Sequence, residues 1–122
     1  MLVADDSPVF LEAAVAVVEA TPGFELAATC GSEARAVEIA EELRPDIALL
    51  DETMAGVDPA AAVAAIGAVS PETYVIVVSA DPKPFDGTSP LVDKRQLSPA
   101  TLADLWRRRP EKVAARRPTG PA

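Results

Sequence analysis

The apolar residues of the chain fall into short runs that do not alternate with polar residues. Uninterrupted runs of this length are typical of strands buried on both faces of a parallel sheet. They predict strands at residues 1–5, 24–30, 46–51, 74–79 and 91–93. Between these strands, apolar stripes with helical spacing predict helices at residues 8–20, 32–43, 59–69 and 99–108.

The punctuation of the helices supports this assignment. Ser7-Pro8, Asp58-Pro59 and Ser98-Pro99 each place a capping side chain before a proline at the first helical position. Strands that alternate with helices predict a three-layer α/β/α fold around a doubly wound parallel sheet. For five strands we expect the order 2-1-3-4-5, with ligands bound beyond the carboxyl ends of strands 1 and 3.

Composition removes several classes of chemistry. The chain has no histidine, which excludes Ser-His-Asp and Cys-His nucleophile systems and every zinc site that contains histidine. Its single cysteine, Cys30, follows an apolar stretch and is interpreted as buried filler rather than a reactive thiol. Any bound metal should therefore prefer hard oxygen ligands, which points to Mg²⁺ or Mn²⁺.

No apolar run approaches the roughly 20 residues that a membrane span needs, and the first residues show no basic n-region followed by a cleavage site. We therefore expect a soluble cytoplasmic protein that does not contact membranes.

The charge is divided unevenly along the chain. Residues 1–106 carry 18 Asp and Glu against 5 Lys and Arg, whereas residues 107–122 carry six basic residues and one acidic residue. We expect one domain at residues 1–106 and a disordered Pro/Arg-rich tail at 107–122. The acidic domain is a poor candidate for direct DNA binding, and the tail could contact a polyanion only weakly.

Carboxylates follow two strands that should be neighbours in the sheet. Asp5 and Asp6 come directly after the first strand, and Asp51 ends the third. Ser79 ends the fourth strand, and the fifth runs into Lys94. Because the carboxyl ends of parallel strands meet at one edge, three carboxylates, a hydroxyl and an ammonium should converge there.

This set of groups suits phosphoryl transfer. Two carboxylates and a backbone carbonyl can hold Mg²⁺, while a third carboxylate can act as a nucleophile and form an acyl phosphate. A lysine can then neutralise the oxygens of the transferred group, and a hydroxyl can donate a hydrogen bond to one of them. Phosphoryl transfer requires little beyond such positioning and charge neutralisation.

Four separated motifs resemble the receiver domain of response regulators in the CheY-like superfamily. They are Leu-Val-Ala-Asp-Asp-Ser-Pro-Val-Phe at residues 2–10, Pro-Asp-Ile-Ala-Leu-Leu-Asp-Glu-Thr-Met-Ala-Gly-Val-Asp at 45–58, Val-Ile-Val-Val-Ser-Ala at 75–80 and Asp-Lys at 93–94. Their order and spacing agree over about residues 1–106. The resemblance implies a flavodoxin-like fold and a role in two-component signal transduction.

By this resemblance, Asp51 would accept a phosphoryl group from a phosphohistidine of a sensor histidine kinase or a phosphotransfer protein. Asp6 and Asp51 would bind Mg²⁺ directly, the main-chain carbonyl of Thr53 would supply a further ligand, and Asp5 would act mainly through water. The chain would be a phosphoacceptor that dephosphorylates itself, rather than an enzyme.

The resemblance also implies how the signal would leave the site. Lys94 would pair with the phosphorylated aspartate, and Ser79 would turn inward to bond a phosphoryl oxygen. The family places an aromatic switch residue three positions before the lysine, where this chain has Leu91. Only 14 residues separate Ser79 from Lys94, so we expect the family's fourth helix to be shortened or replaced by a proline-rich loop.

Two hypotheses for the function follow. The first is a receiver, stand-alone or lacking an output domain, that signals to an unknown downstream protein by contact when phosphorylated. The alternative is an atypical pseudo-receiver that serves as a phosphorylation-independent binding or dimerisation module. A homodimer is therefore one of the assemblies that the sequence allows. The intact acidic set favours the first hypothesis, whereas Leu91 and the short region before it favour the second.

Overall fold

Strands and helices alternate along the chain in the computed structural model, which describes residues 1–54, 58–81 and 89–110. The strands are β1 (Leu2–Ala4), β2 (Ala28–Cys30), β3 (Ile47–Asp51), β4 (Tyr74–Ser79) and β5 (Leu91–Asp93). The helices are α1 (Pro8–Ala20), α2 (Glu33–Leu43), α3 (Pro59–Val69) and α4 (Pro99–Arg107), with a short 3-10 turn at Lys94–Gln96. All five strands pair in parallel in the order β2-β1-β3-β4-β5, which confirms the predicted doubly wound sheet.

The sheet is covered on both faces, as the unalternated apolar runs predict. Along β3, Ala48 and Leu50 pack in one core cluster with residues of α2 and α3. Ile47 and Leu49 pack in a second cluster with residues of α1 and α4. Because successive side chains of a strand point to opposite faces, this division establishes the three layers and gives each face its own helix pair.

Local capping chemistry sets the helix boundaries. The side chains of Ser7, Asp58 and Ser98 each accept a backbone N–H at the start of α1, α3 and α4, which confirms the predicted N-caps. At the other end of α2, Arg44 adopts the left-handed conformation with φ 46° and donates its N–H to the carbonyl of Ala40. This C-cap turns the chain toward Pro45 and β3.

The second strand is shorter than the predicted span of 24–30. Leu2 pairs with Ala28, so residues 24–26 lie beyond the first residue of β1 in this register. The Met1 carbonyl still accepts the Ala27 N–H at 2.7 Å, and the Met1 ammonium donates to the Glu25 carbonyl at 2.7 Å. The apolar residues Phe24 and Leu26 pack on the core without joining the ladder.

Two predictions fall outside the described residues. The shortened helix or proline-rich loop between β4 and β5 involves residues 82–88, and most of the predicted tail is residues 111–122. In the described part of the chain, α4 ends at Arg107, whose guanidinium pairs with Asp104 at 2.6 Å. None of the described helices is long and apolar enough to cross a membrane.

Candidate functional site

The carboxyl ends of β1 and β3 lie side by side, because Ala4 pairs with Leu50. Asp5 follows Met1 and Val3 in the two-residue alternation of the strand, and Asp51 follows Ile47 and Leu49. These four apolar residues pack on the face covered by α1 and α4. Both carboxylates therefore continue the apolar rows of that face, at the edge where the chain leaves the sheet.

Three aspartates form an acidic cluster at this edge. One carboxylate oxygen from each of Asp5, Asp6 and Asp51 lies within 4.8 Å of the other two. Asp5 and Asp51 are buried, with relative exposures of 0% and 1%, whereas Asp6 is exposed. Burial of two like charges at such a distance is unfavourable unless cations or hydrogen-bond donors compensate them.

Lys94 supplies the compensating cation. Its Nζ lies 2.6 Å from Asp5 Oδ2 and 3.4 Å from Asp51 Oδ1, and its side chain is only 15% exposed. The lysine follows the last residue of β5, where Asp93 pairs with Ser79 of β4. The ammonium therefore reaches across the end of β4 to the carboxylates at the ends of β1 and β3.

The carboxylate of Asp5 is held at both oxygens. Oδ1 accepts the Ser7 N–H at 2.8 Å, and Oδ2 pairs with Lys94. Burial nevertheless raises the pKa of Asp5 above its ordinary value; Lys94 and the Ser7 N–H oppose the increase, and the Asp51 charge adds to it. Between the ordinary and the raised pKa the folded protein binds more protons than the unfolded chain, so ionisation of Asp5 lowers stability as pH rises through that interval.

The two oxygens of Asp51 differ in their environment. Oδ1 accepts two hydrogen bonds from Thr53, at 3.0 Å from its N–H and 2.9 Å from its hydroxyl. Oδ2 is buried and has no hydrogen-bond partner among the described residues. A buried carboxylate oxygen without a donor is costly, so Oδ2 is suited to bind a cation or to react with an electrophile.

The acidic cluster fits a divalent metal ion. When all three carboxylates are ionised they carry a charge of −3, of which Lys94 compensates one. A divalent cation would neutralise the remaining charge of −2. All the available ligands are oxygens, which is the donor set that Mg²⁺ prefers. The main-chain carbonyl of Thr53 belongs to the residue that already contacts Asp51.

Ser79 lies at the same edge of the sheet, but its hydroxyl bonds to the Asp81 N–H rather than to the acidic cluster in the described part of the chain. Its hydroxyl is fully buried and accepts the Asp81 N–H at 3.1 Å. Within the described residues, no hydrogen bond joins this hydroxyl to Asp51. The strand alternation puts Ser79 in phase with Val75, which packs on the opposite face with α2 and α3, and this explains the separation.

Phe10, which belongs to the apolar stripe of α1, is also a neighbour of the site. The Phe10 ring lies beneath the Lys94 ammonium, with Nζ 4.4 Å from the ring centroid. Phe10 is half-buried and packs against the same core cluster as Val3 and Leu49. Its stripe predicts that it faces the sheet, but the approach to a lysine that lies 84 positions further along the chain leaves no local signal.

Comparison with known proteins identifies the family. The family model "Response regulator receiver domain" matches residues 1–91. This chain therefore belongs to the response regulator receiver domain family of two-component systems. Receiver domains of this family typically bind Mg²⁺ at a cluster of acidic residues, which here corresponds to Asp5, Asp6 and Asp51.

Individual relatives agree with this assignment. The chain is 42% identical over 82 residues to a protein-glutamate methylesterase/protein-glutamine glutaminase of Anaeromyxobacter dehalogenans, and 32% identical over 84 residues to the probable transcriptional regulatory protein NarL of Mycobacterium tuberculosis. These segments cover 67% and 69% of this chain, but only 24% and 39% of the two relatives. The receiver domain structure of Mycobacterium tuberculosis NarL superposes with a TM-score of 0.76 at 27% identity, over 88% of this chain and 95% of that one.

Replacement of Lys94 should show how strongly the buried carboxylates depend on its charge. Lys94→Met leaves Asp5 and Asp51 without their shared cation, so we expect the free energy of unfolding at neutral pH, without Mg²⁺, to fall by about 3 kcal/mol. Urea unfolding measures the loss. The matched control is Arg95→Met, which removes an exposed ion pair with Asp93 from the same turn and should cost less. Equal losses in the two variants would contradict this view of the cluster.

Proposed function

We propose that the chain accepts a phosphoryl group on Asp51 from a phosphohistidine of a sensor histidine kinase or a phosphotransfer protein. The observation that carries the proposal is the environment of the Asp51 Oδ2 atom. This oxygen is buried, has no hydrogen-bond partner among the described residues, and belongs to a carboxylate whose other oxygen lies 3.4 Å from an ammonium. A carboxylate held in this way is a positioned nucleophile beside a positioned cation.

The transfer requires one bond exchange. An Asp51 oxygen attacks the phosphorus, the phosphorus–nitrogen bond of the phosphohistidine breaks, and its electron pair returns to the imidazole nitrogen. The product is an acyl phosphate on Asp51. Lys94 lies close enough to pair with the oxygens of the new group, because its ammonium already contacts Asp51.

The metal proposal assigns different tasks to the aspartates. Asp6 and Asp51 would bind Mg²⁺ directly with the Thr53 carbonyl, and the ion would neutralise charge on the phosphoryl oxygens. Asp6 is exposed and able to bind an ion from solvent. Both oxygens of Asp5 are occupied, by Ser7 and Lys94, which favours a contact through water for this residue.

Output from the site would require movement of Ser79. To bond a phosphoryl oxygen on Asp51, its hydroxyl has to turn from the Asp81 N–H toward the other face of the sheet. In the family this movement is coupled to an aromatic residue, but the matching position here is Leu91, which is half-buried in β5. This observation supports the second candidate, a pseudo-receiver that binds partners or dimerises without phosphorylation.

The domain boundaries, the cellular location and the mode of action belong to the same proposal. We place the receiver domain at residues 1–106, followed by a tail at 107–122, in a cytoplasmic protein that signals by protein contact. It would act as a phosphoacceptor that hydrolyses its own acyl phosphate, rather than as an enzyme with a separate substrate. The methylesterase and transcriptional activities in the relatives' names belong to proteins of which the matched segment is 24% and 39%.

Incubation with Mg²⁺ and acetyl phosphate tests phosphoryl acceptance without a partner kinase. Intact-mass measurement should show one added phosphoryl group on the wild-type chain and none on Asp51→Asn, which keeps the shape but loses the nucleophile. Asp58→Asn is the matched control, because asparagine also caps helices and the Asp58 side chain caps α3. It should be labelled as the wild type is. A wild-type chain without an adduct, and without NMR shifts around Asp51 in beryllofluoride, would leave the pseudo-receiver.

Calorimetric titration with Mg²⁺ tests the metal assignment separately. Asp6→Ala removes a proposed direct ligand, so the affinity should fall roughly tenfold or more. Asp46→Ala removes an exposed carboxylate just before β3, at the other end of the sheet, and should leave the affinity unchanged. If Asp6→Ala also binds as the wild type does, Asp6 is not a ligand.

A further inference from the structure

We infer that Phe10 is a positioning residue for phosphoryl transfer, because its ring holds the Lys94 ammonium against Asp5 and Asp51. The inference rests on the proposed function, since that function defines what Lys94 does. Phe10 would touch neither the phosphoryl group nor the metal. It would act through the lysine alone.

The ammonium is enclosed on three sides. Asp5 Oδ2 lies at 2.6 Å, Asp51 Oδ1 at 3.4 Å and the Phe10 ring centroid at 4.4 Å from Nζ. The last distance is well within the roughly 6 Å over which an aromatic face attracts a cation. Two carboxylates and one aromatic face therefore surround the ammonium of a lysine whose side chain is only 15% exposed.

The position of the ring is tied to the acidic cluster by the chain that joins them. Asp5 Oδ1 accepts the Ser7 N–H at 2.8 Å, and the Ser7 hydroxyl accepts the Phe10 N–H at 3.3 Å. These bonds fix the turn between β1 and α1, so the first carboxylate and the aromatic ring belong to one short, hydrogen-bonded segment. Lys94, which follows β5, contacts both Asp5 and the Phe10 ring.

A ring suits this task better than another polar group. Lysine has a long flexible stem, and an ammonium that faced water on its third side could swing away from the carboxylates. A further carboxylate would hold it but would also compete with the phosphoryl oxygens. The face of a phenyl ring attracts the ammonium, excludes water and leaves Lys94 able to shift from Asp5 toward a group on Asp51.

Phe10→Leu tests the inference, because leucine keeps an apolar side chain but removes the aromatic face. Phe10→Tyr keeps the ring and serves as the rescue variant. The matched control is Phe24→Leu, the same change at a second half-buried phenylalanine of the same core cluster. Phe24 lines a cleft of about 370 Å³ with Trp106, away from the acidic cluster.

The measured quantities are the rate of phosphorylation by acetyl phosphate, the Mg²⁺ affinity and the NMR shifts of the Lys94 ε-methylene protons. We expect Phe10→Leu to lower the rate roughly fivefold, the effect of a cation–π contact of ordinary strength. It should also remove the upfield ring-current shift of those protons and leave Mg²⁺ affinity unchanged. Phe10→Tyr and Phe24→Leu should keep both the rate and the shift.

The outcomes separate this inference from the function on which it rests. If the wild type is phosphorylated and Phe10→Leu reacts at the same rate, the role of Phe10 is overturned and the proposed function stands. A loss shared by Phe24→Leu, or accompanied by weaker Mg²⁺ binding, would show a structural effect and would also overturn it. A wild-type chain that accepts no phosphoryl group would overturn both.

Discussion

The burial of two carboxylates side by side is the constraint on which the rest of the structure depends. The parallel pairing of β1 with β3 places Asp5 and Asp51 side by side at the carboxyl end of the sheet, and both are almost completely excluded from water. Backbone N–H groups from Ser7 and Thr53 offset part of the cost. The largest compensation is Lys94, which the sheet order brings from β5 across the end of β4. Fold and site are therefore one arrangement, because the topology that buries the charges also delivers the cation.

Much of the fold could be predicted because its signals are local. Unalternated apolar runs identified the strands, and Ser7, Asp58 and Ser98 marked the starts of three helices with side chains that cap their own backbone. The length of β2 could not be predicted in this way. Its apolar residues extend to Phe24, but pairing depends on the register with β1, which places Ala28 opposite Leu2. A local apolar pattern indicates that a segment can form a strand, whereas the register with the neighbouring strand determines how many of its residues pair.

The same distinction applies to the site. Strand ends and the parallel topology predict that Asp5, Asp51 and Lys94 approach one another, since backbone geometry alone carries them to one edge. Two side-chain contacts could not be predicted from the sequence. Lys94 lies closer to Asp5 than to Asp51, and the Phe10 ring lies beneath its ammonium. The strand alternation offered a partial signal, because Asp5 and Asp51 share the face that α1 covers. If phosphorylation repositions Lys94, these unpredicted contacts are the ones that change.

The proposed acceptance of a phosphoryl group by Asp51 can be trapped chemically. Sodium borohydride reduces an aspartyl phosphate to homoserine, and peptide mass spectrometry locates the reduced position in the chain. After treatment with acetyl phosphate and Mg²⁺, we expect reduction at position 51 alone. Asp51 Oδ2 is buried and has neither a hydrogen bond nor an ion pair among the described residues, whereas the buried Oδ2 of Asp5 pairs with Lys94 at 2.6 Å. Reduction at Asp5 or Asp6, or none at any position, would contradict this expectation.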